Sequence, residues 1–330
     1  MFLPFSLLCF SGLFLSVMVV LSSISWYTAW IGLELNLLSF LPLIMTSRMT
    51  LSSSEASMKY FLIQALSSVV FLFGSLMSHH GTFFLLLISL ALFLKLAAAP
   101  LHFWVVSIVE GLSWGSLFLL LTIQKLAPLM VLFSAYPSSE TKSLSLLFIM
   151  TSSLVGSLGG LSQCMLRSIM AYSSISHMSW LLTSLYISSA LTRDYFVFYS
   201  LVFLPLAVYF SLFSFYHLSQ LGYKMPLLAK TSVFLCLLSL GGLPPFLGFL
   251  PKWLVISNLT LSGLLFLALF LVLTSLITLY YYIRLTYSSF MLSSSSLPSP
   301  SPVVFPYSFT LWVTILLSLA SLPFWAYLFI

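Results

Sequence analysis

The sequence predicts an all-α polytopic membrane protein. Three observations carry that prediction: 61% of the 330 residues are hydrophobic, the mean hydropathy is +1.17, and only 5% of the residues are charged. A soluble chain of this length needs far more polar surface to meet water. At about 20 apolar residues per crossing, the length accommodates roughly ten or eleven spans. The apolar runs are long and do not alternate, so helices are expected and not a barrel.

Punctuation by proline, glycine and charge places eleven helices, near 2–22, 26–46, 57–78, 82–110, 113–134, 142–163, 169–190, 194–217, 228–256, 259–286 and 307–329. The N-terminal run MFLPFSLLCFSGLFLSVMVVL lacks a basic leader and a small-residue cleavage site, so it is expected to stay as the first helix. The fourth helix is interrupted at Pro100 and the ninth at Pro244, Pro245 and Pro251. These breaks fall five helices apart, the pattern of inverted five-helix repeats with broken helices at matching positions. The chain then reads as a single membrane domain, 1–330, with a first repeat over 1–135, a second over 142–287 and a last helix over 307–330. The serine- and proline-rich stretch LSSSSLPSPSPVV, residues 292–304, is the linker before that last helix.

Composition also excludes several functions. The net charge of +6 comes from eleven Lys and Arg spread singly along the chain, without the basic cluster that tracks phosphates, so nucleic acid is not a partner. Cys9, Cys164 and Cys236 lie in apolar runs at unrelated spacings and read as small core residues, with no CxxC pair. No GxGxxG motif and no cluster-type cysteine set is present, so redox chemistry is not expected in this chain.

Loop charges orient the chain. Arg48, Lys59, Arg167, Lys224, Lys230 and Arg284 fall on the side of the N-terminus, against Lys142 and Arg193 on the other, each of these beside an acid. The N-terminus therefore belongs on the positive side. Three lysines are left over inside helices: Lys95, Lys125 and Lys252.

Each such charge at the bilayer centre costs about 2.5–3.5 kcal/mol on insertion scales, so the three together represent ~8–10 kcal/mol unless pairing or water relieves them. Snorkelling to an interface is the alternative for a lysine near a helix end. Lys125, in LLLTIQKLAPLM, sits midway along its helix, beside Gln124 and three residues before Pro128. Lys95, in LKLAAAPLHFW, immediately precedes a helix break, and Lys252, in GGLPPFLGFLPKWLV, sits at another. Unwound backbone at membrane depth is tolerated only inside protein or beside a water-filled cavity, although an interfacial place remains open for Lys252. Glu34, in WIGLELNLLSF, is the one acid well inside a span, and pairing with Lys95 would keep both charged. His177, in MAYSSISHMSW, is either a neutral imidazole bonded to nearby serines or a proton relay. His102 has the same two readings, whereas His79 and His80 look interfacial.

These residues carry a resemblance. The blocks WIGLELNLLSFLPLI, EASMKYFLIQALSS, LKLAAAPLHFWV, LLLTIQKLAPL, RSIMAYSSISHMSW and GGLPPFLGFLPKW resemble, in order and over most of the chain, the chain 2 family of mitochondrial NADH–ubiquinone oxidoreductase, respiratory complex I. The length is similar to the animal form, with eleven helices where bacterial relatives have fourteen. The resemblance implies an antiporter-like fold with two inverted five-helix repeats, discontinuous helices four and nine and a C-terminal helix. It implies a proton relay over Glu34, Lys95, Lys125 and Lys252, with His177 matching a family histidine. It further implies a non-redox core subunit in the mitochondrial inner membrane, N-terminus in the matrix, partnered by the other membrane-arm subunits and by lipids. The chain itself would hold no cofactor, with flavin, iron–sulfur clusters and quinone in partner subunits. In LAAAPLHFWVVSIVEG, alanines and valines replace the Gly and Pro-Glu that members often carry.

Two rivals share the axis residues. A stand-alone cation–proton antiporter would look the same along the helices, and a passive scaffold would tolerate loss of Lys125. The cost of keeping three lysines in apolar helices argues against the scaffold.

Overall fold

A computed structural model describes residues 2–47, 50–78, 81–135, 139–223, 227–244 and 246–291. Among the described residues the chain is all-helical, and the one β pairing is an isolated bridge between Met165 and His217. Contacts divide it into two units, Met1–Ser152 and Ser153–Ile330.

The first unit runs through α1 (Phe2–Leu21), α2 (Trp26–Ser47), α3 (Leu51–Leu76), α4 (Thr82–Leu96), α5 (Phe103–Val109), α6 (Trp114–Leu121) and α7 (Ile123–Ala135). The division falls inside α8 (Ser139–Leu161). Neighbours in sequence pack as neighbours in space, α1 on α2, α2 on α3 and α3 on α4, while α7 touches α1, α2 and α4. That places α7, the helix of Lys125, in the middle of the unit.

The second unit continues with α9 (Leu166–Ile187), α10 (Ser189–Leu212), α11 (Gln220–Tyr223), α12 (Leu227–Gly241), α13 (Phe249–Leu261) and α14 (Leu265–Met291). Here α9 is the central element: it packs on α10, α13 and α14, and every residue from Leu166 to Leu185 except Arg167 and Tyr172 is buried. Six described stretches are long and apolar enough to cross a membrane, and three shorter apolar helices accompany them. The polar, serine-rich α9 is not one of the six because its serines make it less apolar, and those residues are buried in protein.

Ten of the eleven expected helices have counterparts among the described residues. Three of them are broken pairs: α4 with α5, α6 with α7, and α12 with α13. The linker 292–304, the last helix 307–329, Arg48, Lys224, His79, His80 and Pro245 lie outside the described residues.

Several helices start earlier than expected, and serine is the reason for two of them. The stretch LSSSEAS was read as loop, yet α3 starts at Leu51 under a capping box in which the Thr50 hydroxyl accepts from the Ser53 amide and the Ser53 hydroxyl from the Thr50 amide. Ser54 and Ser57 then donate to carbonyls three residues back, at 2.8 and 2.7 Å. A hydroxyl satisfied on its own helix leaves nothing exposed to lipid. The earlier start at Ser189 belongs with it, under a Ser188 hydroxyl that accepts from the Leu191 amide, whereas the starts at Ser139 and Leu166 are simply earlier. In the other direction, α14 starts at Leu265 and not near 259, because α13 runs on to Leu261 and Gly263, with φ +76°, makes the turn.

All six described charges placed in loops by sequence, Lys59, Lys142, Arg167, Arg193, Lys230 and Arg284, belong to helices, and two of them have surroundings that a loop would not give. Lys59 lies two turns into α3 and pairs with Glu55 one turn earlier, at 2.6 Å. Lys230 lies one turn into α12 and is buried. Cys164 is a further correction: Cys9 and Cys236 are buried, but Cys164 is exposed between α8 and α9.

Candidate functional site

All three intrahelical lysines are buried, and each stands at a helix discontinuity. Lys95 is in the last turn of α4, which Ala97 ends with φ 56°. The chain then turns through Ala98–His102 before α5 resumes. The freed carbonyls find donors within the unit: Trp104 Nε1 donates to Leu94 O at 3.0 Å, and the Thr151 hydroxyl donates to Ala99 O at 2.7 Å. Unwound backbone at membrane depth needs such partners.

Lys125 was expected midway along one helix. The structure breaks that helix at Thr122 (φ −117°, ψ −83°), whose hydroxyl donates back to Phe118 O at 2.6 Å, so Lys125 stands in the first turn of α7. Pro128 contributes locally, since it offers no N–H to the carbonyl of Gln124 and crowds it.

Beside Lys125 runs a polar chain that the sequence did not reveal. The Tyr60 hydroxyl donates to Gln124 Oε1 at 3.0 Å, and Gln124 Nε2 donates to Asn36 Oδ1 at 3.1 Å. Three helices, α3, α7 and α2, are joined by it. The signal available in sequence was weak: a buried tyrosine and amides look like many others until the fold aligns them. Asn36 is two residues beyond Glu34 on α2.

Glu34 faces this cluster. One of its carboxylate oxygens is buried without a hydrogen-bond partner, and its charge interacts with both Lys95 and Tyr60. No direct ion pair joins Glu34 to Lys95, so the two charges act on each other through space. His102 is held locally, its Nδ1 3.2 Å from Pro100 O and its ring on Phe103.

In the second unit, Lys252 sits in the first turn of α13 and reaches back to the end of α12. Its Nζ donates to Leu240 O at 3.2 Å and Gly241 O at 2.9 Å, and lies 5.8 Å from the Trp180 ring centroid. Those carbonyls form the negative end of the α12 dipole, where a cation is stabilised. Gly242 makes the approach possible: with φ +80°, a Cβ there would lie 2.8 Å from Lys252 Cδ and 3.1 Å from Nζ. Lys252 is therefore enclosed in protein and not at an interface.

His177 is buried on α9, one turn before Trp180. Its Nδ1 is 2.9 Å from the Tyr195 hydroxyl, and its ring packs on Tyr199 at 4.9 Å. The hydroxyls of Ser173, Ser174 and Ser176 donate to carbonyls of their own helix. The fold thus groups Glu34, Lys95 and Lys125 in one unit and Lys252 and His177 in the other. Among the described residues no group of three or more His, Cys, Asp or Glu could hold a metal ion.

A family model described as NADH:quinone oxidoreductase/Mrp antiporter, TM, matches residues 23–82 and 77–278. The NADH-ubiquinone oxidoreductase chain 2 of Anopheles gambiae is 44% identical over 293 residues, covering 85% of this chain and 84% of the relative. The chain belongs to the NADH-ubiquinone oxidoreductase chain 2 family. The chain 2 of Symphalangus syndactylus is 37% identical over 345 residues, covering 96% of each. Among solved structures, a chain of respiratory complex I from Thermus thermophilus superposes with a TM-score of 0.76 at 24% identity, covering 93% of this chain and 73% of that one. A chain of the Mrp complex from a Dietzia species gives 0.74 at 20% identity, covering 88% and 60%. At these identities the two structures speak for the fold, which is that of the antiporter-like membrane subunits. A chain 2 protein is a proton-translocating membrane subunit of NADH–ubiquinone oxidoreductase, and its partners are the other membrane subunits of that assembly.

Proposed function

We propose that this chain 2 protein carries protons through the membrane along Glu34, Lys95, Lys125, His177 and Lys252, and that it does so without a redox group of its own. NADH, flavin, iron–sulfur and quinone chemistry then belong to partner subunits. The setting is the mitochondrial inner membrane with the N-terminus in the matrix, and the two broken helices mark inverted repeats over 1–135 and 142–287.

One observation carries the reading: three lysines are buried in apolar helices, and each stands where the helix is interrupted. Burial disfavours the ammonium, so a change in pairing or hydration at the break moves a proton on or off. Interrupted backbone supplies the carbonyls and space through which water could serve that exchange. Glu34 acts on Lys95 through space, a coupling that can be tuned without breaking a contact. In the cycle, Glu34 holds Lys95 charged in one state. When the coupling weakens, Lys95 repels or passes a proton toward Lys125, and Lys252 ends the relay.

The test is Lys125→Met in the assembled complex, reconstituted in liposomes. Pumping per NADH falls at least about tenfold while assembly is retained, the scale set by loss of a proton-transfer group. Wild-type pumping in an assembled Lys125→Met complex would sink the relay and favour a scaffold. The Leu240 and Gly241 contacts also favour a structural role for Lys252 as the cap of α12. In that case Lys252→Arg, which keeps the charge but not the proton exchange, would pump normally.

A further inference from the structure

In the second unit His177 of α9 meets Tyr195 and Tyr199 of α10, and Tyr281 and Tyr282 of α14 lie near that pair, so four tyrosines gather there. All four are buried. A buried hydroxyl carries a desolvation cost unless it is bonded, so four tyrosines are an expensive way to fill space that phenylalanine would fill at lower cost. The chain has 31 phenylalanines, so the choice of tyrosine here is not a matter of supply.

The hydroxyls follow an order. Tyr195 meets His177 Nδ1 at 2.9 Å. Tyr282 lies within electrostatic reach of Tyr195 and Tyr199. Tyr281 stacks edge-on against Tyr282 with centroids 4.6 Å apart. The hydroxyls of Tyr282 and Tyr281 lie beside Ser173 and Ser176 without an aligned hydrogen bond, and both are sealed from solvent. Those serines give their own protons to carbonyls of α9, which leaves their oxygens free to accept. Polar atoms that face one another unaligned in a closed site are the setting in which small rotations make and break bonds.

We propose that Tyr195 is a positioning residue that fixes which ring nitrogen of His177 carries the proton, and that Tyr282 and Tyr281 extend it into a hydroxyl file reaching α14. This rests on the reading of His177 as part of the relay. In the resting arrangement Tyr195 donates its Oη–H to Nδ1, and the neutral imidazole bears its proton on Nε2. A proton reaching the Tyr195 oxygen from the Tyr282 side displaces the original one onto Nδ1. The imidazolium then releases its Nε2 proton, directed along the helix face shared with Trp180, beside which Lys252 lies. One proton enters and one leaves, each phenol is neutral before and after, and the imidazole, left protonated on Nδ1, returns to the Nε2–H tautomer by tautomer exchange before the next proton.

The experiment uses the assembled complex in liposomes with Tyr195→Phe and Tyr282→Phe, which remove an oxygen and keep the ring. His177→Gln tests the parent reading, and Tyr209→Phe, a buried tyrosine on α10 outside the cluster, is the control. Two readouts are taken: protons pumped per NADH, and the infrared imidazole ring-stretch band that separates the two neutral tautomers, assigned by subtraction against His177→Gln. The proposal expects Tyr195→Phe to shift that band and to lower pumping about tenfold, the scale of one lost hydrogen bond in the path. It expects Tyr282→Phe to lower pumping with the band unshifted, and Tyr209→Phe to match wild type. If His177→Gln impairs pumping but Tyr195→Phe leaves both readouts at wild type, the proposal fails and the relay stands. If His177→Gln pumps normally, both fall. Should Tyr195→Phe not assemble, Tyr282→Phe decides, and wild-type pumping in that variant overturns the hydroxyl file.

Discussion

Gly242→Ala is the most demanding test of the second unit, because it alters neither a charge nor a polar side chain. Gly242 has φ +80°, where a Cβ costs about 1–2 kcal/mol. That Cβ would also sit 2.8 Å from Lys252 Cδ and 3.1 Å from Nζ, so the lysine must withdraw from the end of α12. Losing one of its two carbonyl contacts, each with a charged donor, costs a further ~1.5–3 kcal/mol. The sum is about 2.5–5 kcal/mol. The assay is a double-mutant cycle on the assembled complex, with resistance to detergent denaturation measured for wild type, Gly242→Ala, Lys252→Met and the pair. If alanine acts through Lys252, its cost in the Lys252→Met background shrinks to the backbone part, ~1–2 kcal/mol. Strict additivity would refute the reasoning, for it would mean that Gly242 does not shape the lysine's contacts.

The remaining expectations concern separate parts of the molecule. Gln124→Leu orphans both the Tyr60 hydroxyl and the Asn36 amide and should destabilise the first unit by about 2–6 kcal/mol, visible as reduced assembly; an unchanged yield would deny the three-helix polar chain. Trp104→Phe keeps an aromatic ring against Tyr60 and leaves the Leu94 carbonyl with only the Ala97 amide as donor, a loss of ~0.5–1.5 kcal/mol that should lower heat resistance modestly. A membrane-impermeant maleimide should label Cys164 from the matrix side alone and spare Cys9 and Cys236 until denaturation; labelling from the opposite face would reverse the orientation.

Sequence reasoning misplaced helix starts most often beside serine. Punctuation by proline, glycine and charge starts the helices around Ser53, Ser139 and Ser189 too late. In a lipid-facing helix the hydroxyl bonds its own backbone, so serine costs little and continues the helix. Lys230 was assigned to a loop by the same habit and is buried in α12. The break at Thr122 had no glycine to announce it, and Pro128 lies six residues further on. The lysines themselves were legible, because a charge in an apolar run is rare enough to stand out by itself.

Composition alone determined that this chain must form helices within a bilayer, since lipid offers backbone groups no partner but one another. The order of apolar and charged residues determined which side chains are out of place there, and so which ones the proposed relay draws on. The tertiary structure decided what each of them meets: carbonyls for Lys252, a phenol for His177, a through-space coupling and not an ion pair for Glu34 and Lys95. Those partners come from other helices, and an atom's neighbours across helices depend on rotation and offset that local sequence does not encode.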